Sequence, residues 1–312
     1  MNTTYDRTTG RKFRAGTRFL PAALAIALLS APDESLAQPV DPAAITICYQ
    51  AYRDSDYDNA ISSCEPVARA GDANAAFIMA SLLALEKFGV RDFTASVYWL
   101  ERAADSGHVE AAYNLGVSYQ NGHAVDQDYE LAAKWYRLAA DDGSAKAQRN
   151  LGALYEHGRG VERSDALAFF WFRQAAEREL PDAQLKVGLM YLAGRGVAGS
   201  QREGFDWIER AANAGNIDAQ LSLGLLLDSN GRGEGIPWYE GAAAEGNTIA
   251  LHNLAVIYLR GEQVERDLDR AMAYAERSVA LGNRESATLV QDIRAAMVEA
   301  AVRLKPGVLG NA

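Results

Sequence analysis

Five tryptophans, Trp99, Trp135, Trp171, Trp207 and Trp238, stand 36, 36, 36 and 31 residues apart in a chain of 312 residues. A fixed period of that length marks a repeat array, in which each unit is one supersecondary element and a count of globular domains from length loses its meaning. The frame around each tryptophan recurs as well. Residues 111–146 read AAYNLGVSYQNGHAVDQDYELAAKWYRLAADDGSAK, and 147–182 and 183–218 repeat its small and apolar positions. A copy at 75–110 keeps Trp99, Ala103, Ala104 and Gly107. One at 219–249 is five residues shorter, and one at 250–285 carries Tyr274 in the tryptophan position.

Each copy predicts two helices. Ala111, Leu115 and Tyr119 recur at i, i+4 and i+8, one apolar stripe of helical period. Gly116 beside Leu115 lets a neighbouring helix come close. Asn121-Gly122-His123-Ala124, His157-Gly158-Arg159-Gly160 and Ala193-Gly194-Arg195-Gly196 end the first helices. Ala132, Trp135, Ala139 and Ala140 face one way on the second helix, which stops at Gly143. A single hairpin of this kind cannot bury its apolar face, whereas several stacked in series can.

The pattern A-x-x-x-L-G-x-x-Y-x-x-G-x-G-V-x-x-D-x-x-x-A-x-x-W-x-x-x-A-A-x-x-G resembles the Sel1-like repeat, a relative of the tetratricopeptide repeat, and covers residues 75–285. The resemblance implies an all-α, right-handed α-solenoid of stacked helical hairpins, with six repeats at 75–110, 111–146, 147–182, 183–218, 219–249 and 250–285. Ser164 and Ser200 depart from Asp128, and Glu179 departs from the closing glycine, so altered loops are expected in those copies. Residues 44–74 read as a degenerate capping hairpin with Ala44, Cys48 and Tyr52 in the Ala, Leu and Tyr positions. Residues 286–304 read as a terminal capping helix, and 305–312 as a tail beyond Pro306-Gly307.

The N-terminus has a different character. Arg11, Lys12, Arg14 and Arg18 precede an apolar run at 19–31 and a small-x-small site at Ser35-Leu36-Ala37, the order of a cleaved secretory signal peptide over 1–37. Thirteen apolar residues fall short of the ~20 that span a bilayer, so no integral span is expected after cleavage. The export signal places the chain in the periplasm or the medium. Its two cysteines, Cys48 and Cys64, are expected to pair there as a staple on the first hairpin.

The residues that would carry chemistry are missing. The four histidines, His108, His123, His157 and His252, form no i, i+4 pair. There is no Cys-x-x-Cys, His-Glu-x-x-His, Ser-x-x-Lys, Lys-Thr-Gly or Gly-x-Ser-x-Gly. The GRG triplets at 158–160, 194–196 and 231–233 follow the repeat and lack the Lys-Ser/Thr or preceding strand of a phosphate loop. A net charge of −10 without a basic cluster argues against nucleic acid. No catalytic residue, metal site or cofactor is expected, and a cell-wall or β-lactam hydrolase is the least supported reading.

What remains is surface. In the tetratricopeptide family the first helices line a concave groove. The resemblance carries that role to the positions three before and four after the small residue. These are Phe77, Tyr113, Arg149, Leu185, Leu221 and His252, then Gln120, Glu156, Leu192, Asp228 and Leu259. A peptide or helix with an apolar anchor would suit the leucines beside Tyr113 and Arg149; the same leucines could instead pack between hairpins. The expected function is an exported adaptor or regulator that binds a protein, such as a sensor-kinase ectodomain or an envelope or exopolysaccharide assembly component. A secreted effector that binds a host protein shares the architecture.

Overall fold

The computed structural model describes residues 41–85, 92–228 and 233–303, and among them lie fifteen α-helices and no strand. The expected leader, the tail at 305–312 and Gly231-Arg232 of the last GRG turn lie outside the described residues. Successive helices pair as hairpins: α1 (Pro42–Arg53) with α2 (Tyr57–Arg69), α3 (Ala73–Leu83) with α4 (Phe93–Asp105), and α5 (Val109–Asn121) with α6 (Tyr129–Asp141). Next come α7 (Ala145–His157) with α8 (Asp165–Glu177), and α9 (Pro181–Ala193) with α10 (Gln201–Asn213). Then α11 (Ile217–Asp228) pairs with a short α12 (Ile236–Ala244), and α13 (Thr248–Arg260) with α14 (Leu268–Ala280). The last helix, α15 (Glu285–Arg303), packs on α14 and α13. First helices also touch one another, α1 with α3, α5 with α7 and α13 with α15, which makes the odd-numbered helices the inner row. The chain is an all-α solenoid of helical hairpins.

Local sequence sets the helix ends. Gly122, Gly158, Gly194 and Gly261 adopt left-handed conformations and close α5, α7, α9 and α13, a geometry that costs glycine nothing. Second helices open on an oxygen-bearing cap. Asp128, Ser164, Ser200 and Asp267 each accept a backbone N–H from one turn on. The two serines are therefore an exchange of one good cap for another, and the loops in front of them keep their form.

Glu179 keeps the form at a cost. It holds φ +61° where Gly107, Gly143 and Gly215 hold positive φ in their copies. A side chain in that region is disfavoured by roughly 1–2 kcal/mol. Glu179→Gly is therefore expected to raise the melting temperature by a few degrees, about 1 kcal/mol of stability. An unchanged melting temperature would show that Glu179 is compensated locally.

Inside each hairpin, packing turns on a small residue on the first helix and the residue that follows the tryptophan on the second. A Cβ on Gly116 would clash with the ring of Tyr136, and one on Gly152 would lie 3.0 Å from Phe172. One on Gly188 would lie 2.6 Å from Ile208, and one on Gly224 2.7 Å from Tyr239. Tyr136, Phe172, Ile208 and Tyr239 are fully buried, more so than the tryptophans that set the ruler. In the first hairpin the same place is taken by the bond between Cys48 and Cys64, both buried, with Cα atoms 4.7 Å apart.

Between hairpins a continuous apolar core is supplemented by polar, backbone-close links. Gln148, Gln184 and Gln220, one position after the conserved-register alanines Ala147, Ala183 and Ala219, donate to Ala140, Ala176 and Ala212 at 3.0, 3.4 and 3.3 Å. Those carbonyls lie at the open C-terminal ends of the preceding second helices and need donors. Gly160 and Gly196 press against the backbone carbonyls of Tyr129 and Asp165 one repeat earlier, leaving no room for a Cβ.

Candidate functional site

The inner row of first helices carries the residues that the repeat register assigns to partner binding, and they divide by what they touch. Tyr113 is half-buried, its ring centroid 6.0 Å from that of Tyr136 and overlain by Lys146 at 5.8 Å. Gln120 is half-buried too and accepts from the Tyr136 hydroxyl at 3.1 Å. Arg149 is exposed and bonds to Asp182 of the next hairpin at 3.1 Å. Leu185, Leu192 and Leu221 are half-buried against the core, and Leu192 rests on Gly204 of α10. Phe77 stacks on His108 with centroids 4.2 Å apart.

Glu156 and His252 are tied into networks that join one hairpin to the next. Glu156 is 7% exposed, and its oxygens accept from Lys186 at 3.1 Å and Arg195 at 2.6 Å. It ties α7 to the next hairpin and to the turn after α9. His252 places Nδ1 2.9 Å from Ser286 Oγ, and Ser286 in turn donates to the buried Ser278 at 2.8 Å. That chain of hydrogen bonds fastens α15 onto α13 and α14.

Burial alone would raise the Glu156 pKa, but the hydrogen bonds and charges of Arg195 and Lys186 outweigh it and hold the carboxyl below its ordinary value. A depressed carboxyl pKa contributes stability that is present above the unfolded value, about 4.3, and is lost as pH falls through the folded one. Glu156→Gln is therefore expected to cost about 1 kcal/mol at pH 7, a modest figure because both cations are partly solvated. The difference from the parent should be smaller at pH 3 than at pH 7. Urea midpoints at the two pH values measure it, and an equal cost at both would mean that the carboxylate charge plays no part.

Two well-exposed apolar side chains of the inner row share a different position, one after the small residue. Leu189 is 41% and Leu225 51% exposed, on successive first helices. Val117, Ala153 and Val256 hold the same position with partial exposure. The reason lies in helix geometry. Successive residues turn by about 100°, so positions −3 and +4 lie only about 60° and 40° from the glycine that faces the partner helix, and position +1 lies about 100° away. Exposed apolar residues on the second helices, Phe93, Tyr98, Leu138, Leu167, Phe170 and Val279, fall in five different register positions and make no such row.

Beside Leu225 the inner row opens into a pocket of about 350 Å³ between α11, α12 and α13, with Asp228, Tyr239 and His252 among its walls. Burial and the neighbouring charge of Asp228 push the Tyr239 hydroxyl up to about 12, so it stays protonated at any physiological pH. Asp228 and His252 were both assigned by register, and the pocket brings them together. Among the described residues no group of three or more acidic, histidine or cysteine side chains is placed to hold a metal ion.

This is an α-solenoid whose variable side chains lie on the inner helices of a regular frame. The Sel1 repeat model matches residues 73–108, 109–144, 145–180, 181–216 and 248–283, more than half the chain. The chain belongs to the Sel1 repeat family, whose members generally mediate protein–protein interactions and are typically non-catalytic scaffolds. The short hairpin α11–α12 falls between the fourth and fifth matched segments.

Two solved structures show the likeness. One is a protective antigen present in uropathogenic Escherichia coli strains displaying an SLR fold, 28% identical with a TM-score of 0.73. The match covers 81% of this chain and 56% of that one, so this chain corresponds to little more than half of that antigen. The other is a Sel1 repeat protein from Oxalobacter formigenes, 27% identical with a TM-score of 0.63, over 77% of this chain and 97% of that one. No curated protein matches the chain significantly.

Proposed function

We propose that this protein is an exported, non-enzymatic adaptor or regulator that binds a protein partner along the inner row of first helices. The observation that carries the reading is the pair Leu189 and Leu225, apolar, exposed and in the same register on adjacent hairpins. Large exposed apolar side chains that line up are what an apolar anchor on a partner needs, whereas scattered ones are ordinary surface. Tyr113 and Arg149 extend the row toward the N-terminal repeats, and Leu185, Leu192 and Leu221 support it from beneath. Export rests on the charged and apolar order of residues 1–37, and the Cys48–Cys64 bond is in keeping with an oxidising compartment. No described helix is long and apolar enough to cross a membrane. Within this reading the favoured partner is the ectodomain of a membrane sensor, held in one signalling state by the bound solenoid.

The test is affinity capture from an envelope fraction with the mature chain and with a Leu189→Asp/Leu225→Asp variant. A partner held by the parent and lost by the folded variant supports the reading. Equal capture by both removes the inner row from consideration.

A further inference from the structure

The pocket between α11 and α13 holds more acceptors than the chain itself satisfies. Asp228 Oδ1 and Gln263 Oε1 are buried without a hydrogen-bond partner, and the buried Tyr239 hydroxyl stands beside them with Asn253 as its neighbour. Tyr239 as a whole is fully buried, and the register that presses its ring on Gly224 fixes where the hydroxyl stands. Buried polar atoms left unpaired cost free energy, and two acceptors at one pocket mark a place where a ligand would supply what is missing. The missing complement is a donor. Asp228 and Gln263 offer oxygens that can only accept, and Tyr239 can accept as well. Leu225 and Val256 give the pocket an apolar wall. Arg260 and Glu262 stand at the same pocket with opposite charges, so the Asp228 carboxylate sets the net sign. Arg260 makes no bond to either Asp228 Oδ1 or Gln263 Oε1.

We propose that this pocket receives the guanidinium of an arginine side chain presented by a bound protein segment. A guanidinium brings five N–H donors in one plane, enough to meet both acceptors at once, and its aliphatic stem suits Leu225 and Val256. The inference deepens the inner-row reading by giving the partner a basic residue next to its apolar anchor. Its test needs no partner.

The probe is N-acetyl-L-arginine methylamide, titrated into the full chain and followed by the methyl resonances of Leu225, Val256 and Ile257. The neutral near-isostere N-acetyl-L-citrulline methylamide serves as the control. Saturating shifts at those methyls in the millimolar range are expected, with the citrulline compound at least about tenfold weaker and Asp228→Asn removing the preference. Equal response to both compounds, or shifts at methyls elsewhere only, would overturn the pocket assignment. Because the comparison runs on the unmodified chain, it stands even if Asp228→Asn fails to fold. Failure of the probe would leave the Leu189–Leu225 capture result intact, and failure of that capture would leave the probe result intact.

Discussion

Gly116→Leu is expected to cost about 3 kcal/mol or more, the largest stability loss of any single change on an inner helix. A Cβ at that position already clashes with the ring of Tyr136, and the ring is fully buried. Adding atoms to a well-packed core typically costs about 1–3 kcal/mol, and displacing an aromatic ring that also bonds to Gln120 lies at the upper end of that range or beyond it. The gain in helix propensity on leaving glycine is at most about 1 kcal/mol and cannot offset it. Even Gly116→Ala should be destabilising. The loss is specific to the pair, so Gly116→Ala in a Tyr136→Leu background should cost at least about 1 kcal/mol less than it does alone. Urea denaturation of the four proteins in that cycle measures the coupling. Strict additivity would mean that the glycine and the ring do not share the space the geometry gives them. The chain contains its own version of the experiment: Ala80 and Ala255 replace the glycine, and the matching second-helix positions hold Leu100 and Ala275 rather than an aromatic ring.

Partner binding should show the second large effect. Leu189→Asp/Leu225→Asp places two carboxylates where apolar contact is required. A buried anchor residue is worth about 2 kcal/mol or more on truncation, and a charge left in its pocket costs more still. Together they should weaken binding by at least about a hundredfold. Stability should hardly change, because both side chains are already about half exposed. Phe170→Asp on the outer helix α8, 48% exposed, is the matched control and should bind as the parent does. A loss with Phe170→Asp and none with the double variant would move the binding surface to the outer helices.

The fold was legible because its determinants are local and periodic. Trp99, Trp135, Trp171 and Trp207 fix the period, and the Gly122, Gly158 and Gly194 turns end the first helices. The caps at Asp128, Ser164 and Ser200 needed only a knowledge of which side chains accept a backbone N–H, yet the two serines read as departures until the geometry showed all three in one role. Glu179 was expected to alter its loop. It holds the glycine conformation instead, at the cost a left-handed φ carries for a side chain.

The site was legible only in part. Tyr113, Arg149 and the leucines do lie on the first helices, but positions −3 and +4 are turned closer to the second helix than position +1, which holds the exposed Leu189 and Leu225. Glu156 could not be read correctly from sequence, since its partners Lys186 and Arg195 lie 30 and 39 residues away. His252 is bonded to Ser286, 34 residues on, for the same reason. The pocket at Asp228 and Tyr239 depends on the shortened hairpin α11–α12, and a shortening in sequence does not say what it opens.

The central claim is that the inner row of first helices binds the partner. The most direct measurement places a photo-reactive residue at Leu225 in one protein and at Phe170 in another, crosslinks both in living cells and identifies the adducts by mass spectrometry. The account predicts a single reproducible protein adduct from position 225 and none from position 170. An adduct from 170 with none from 225 would contradict it.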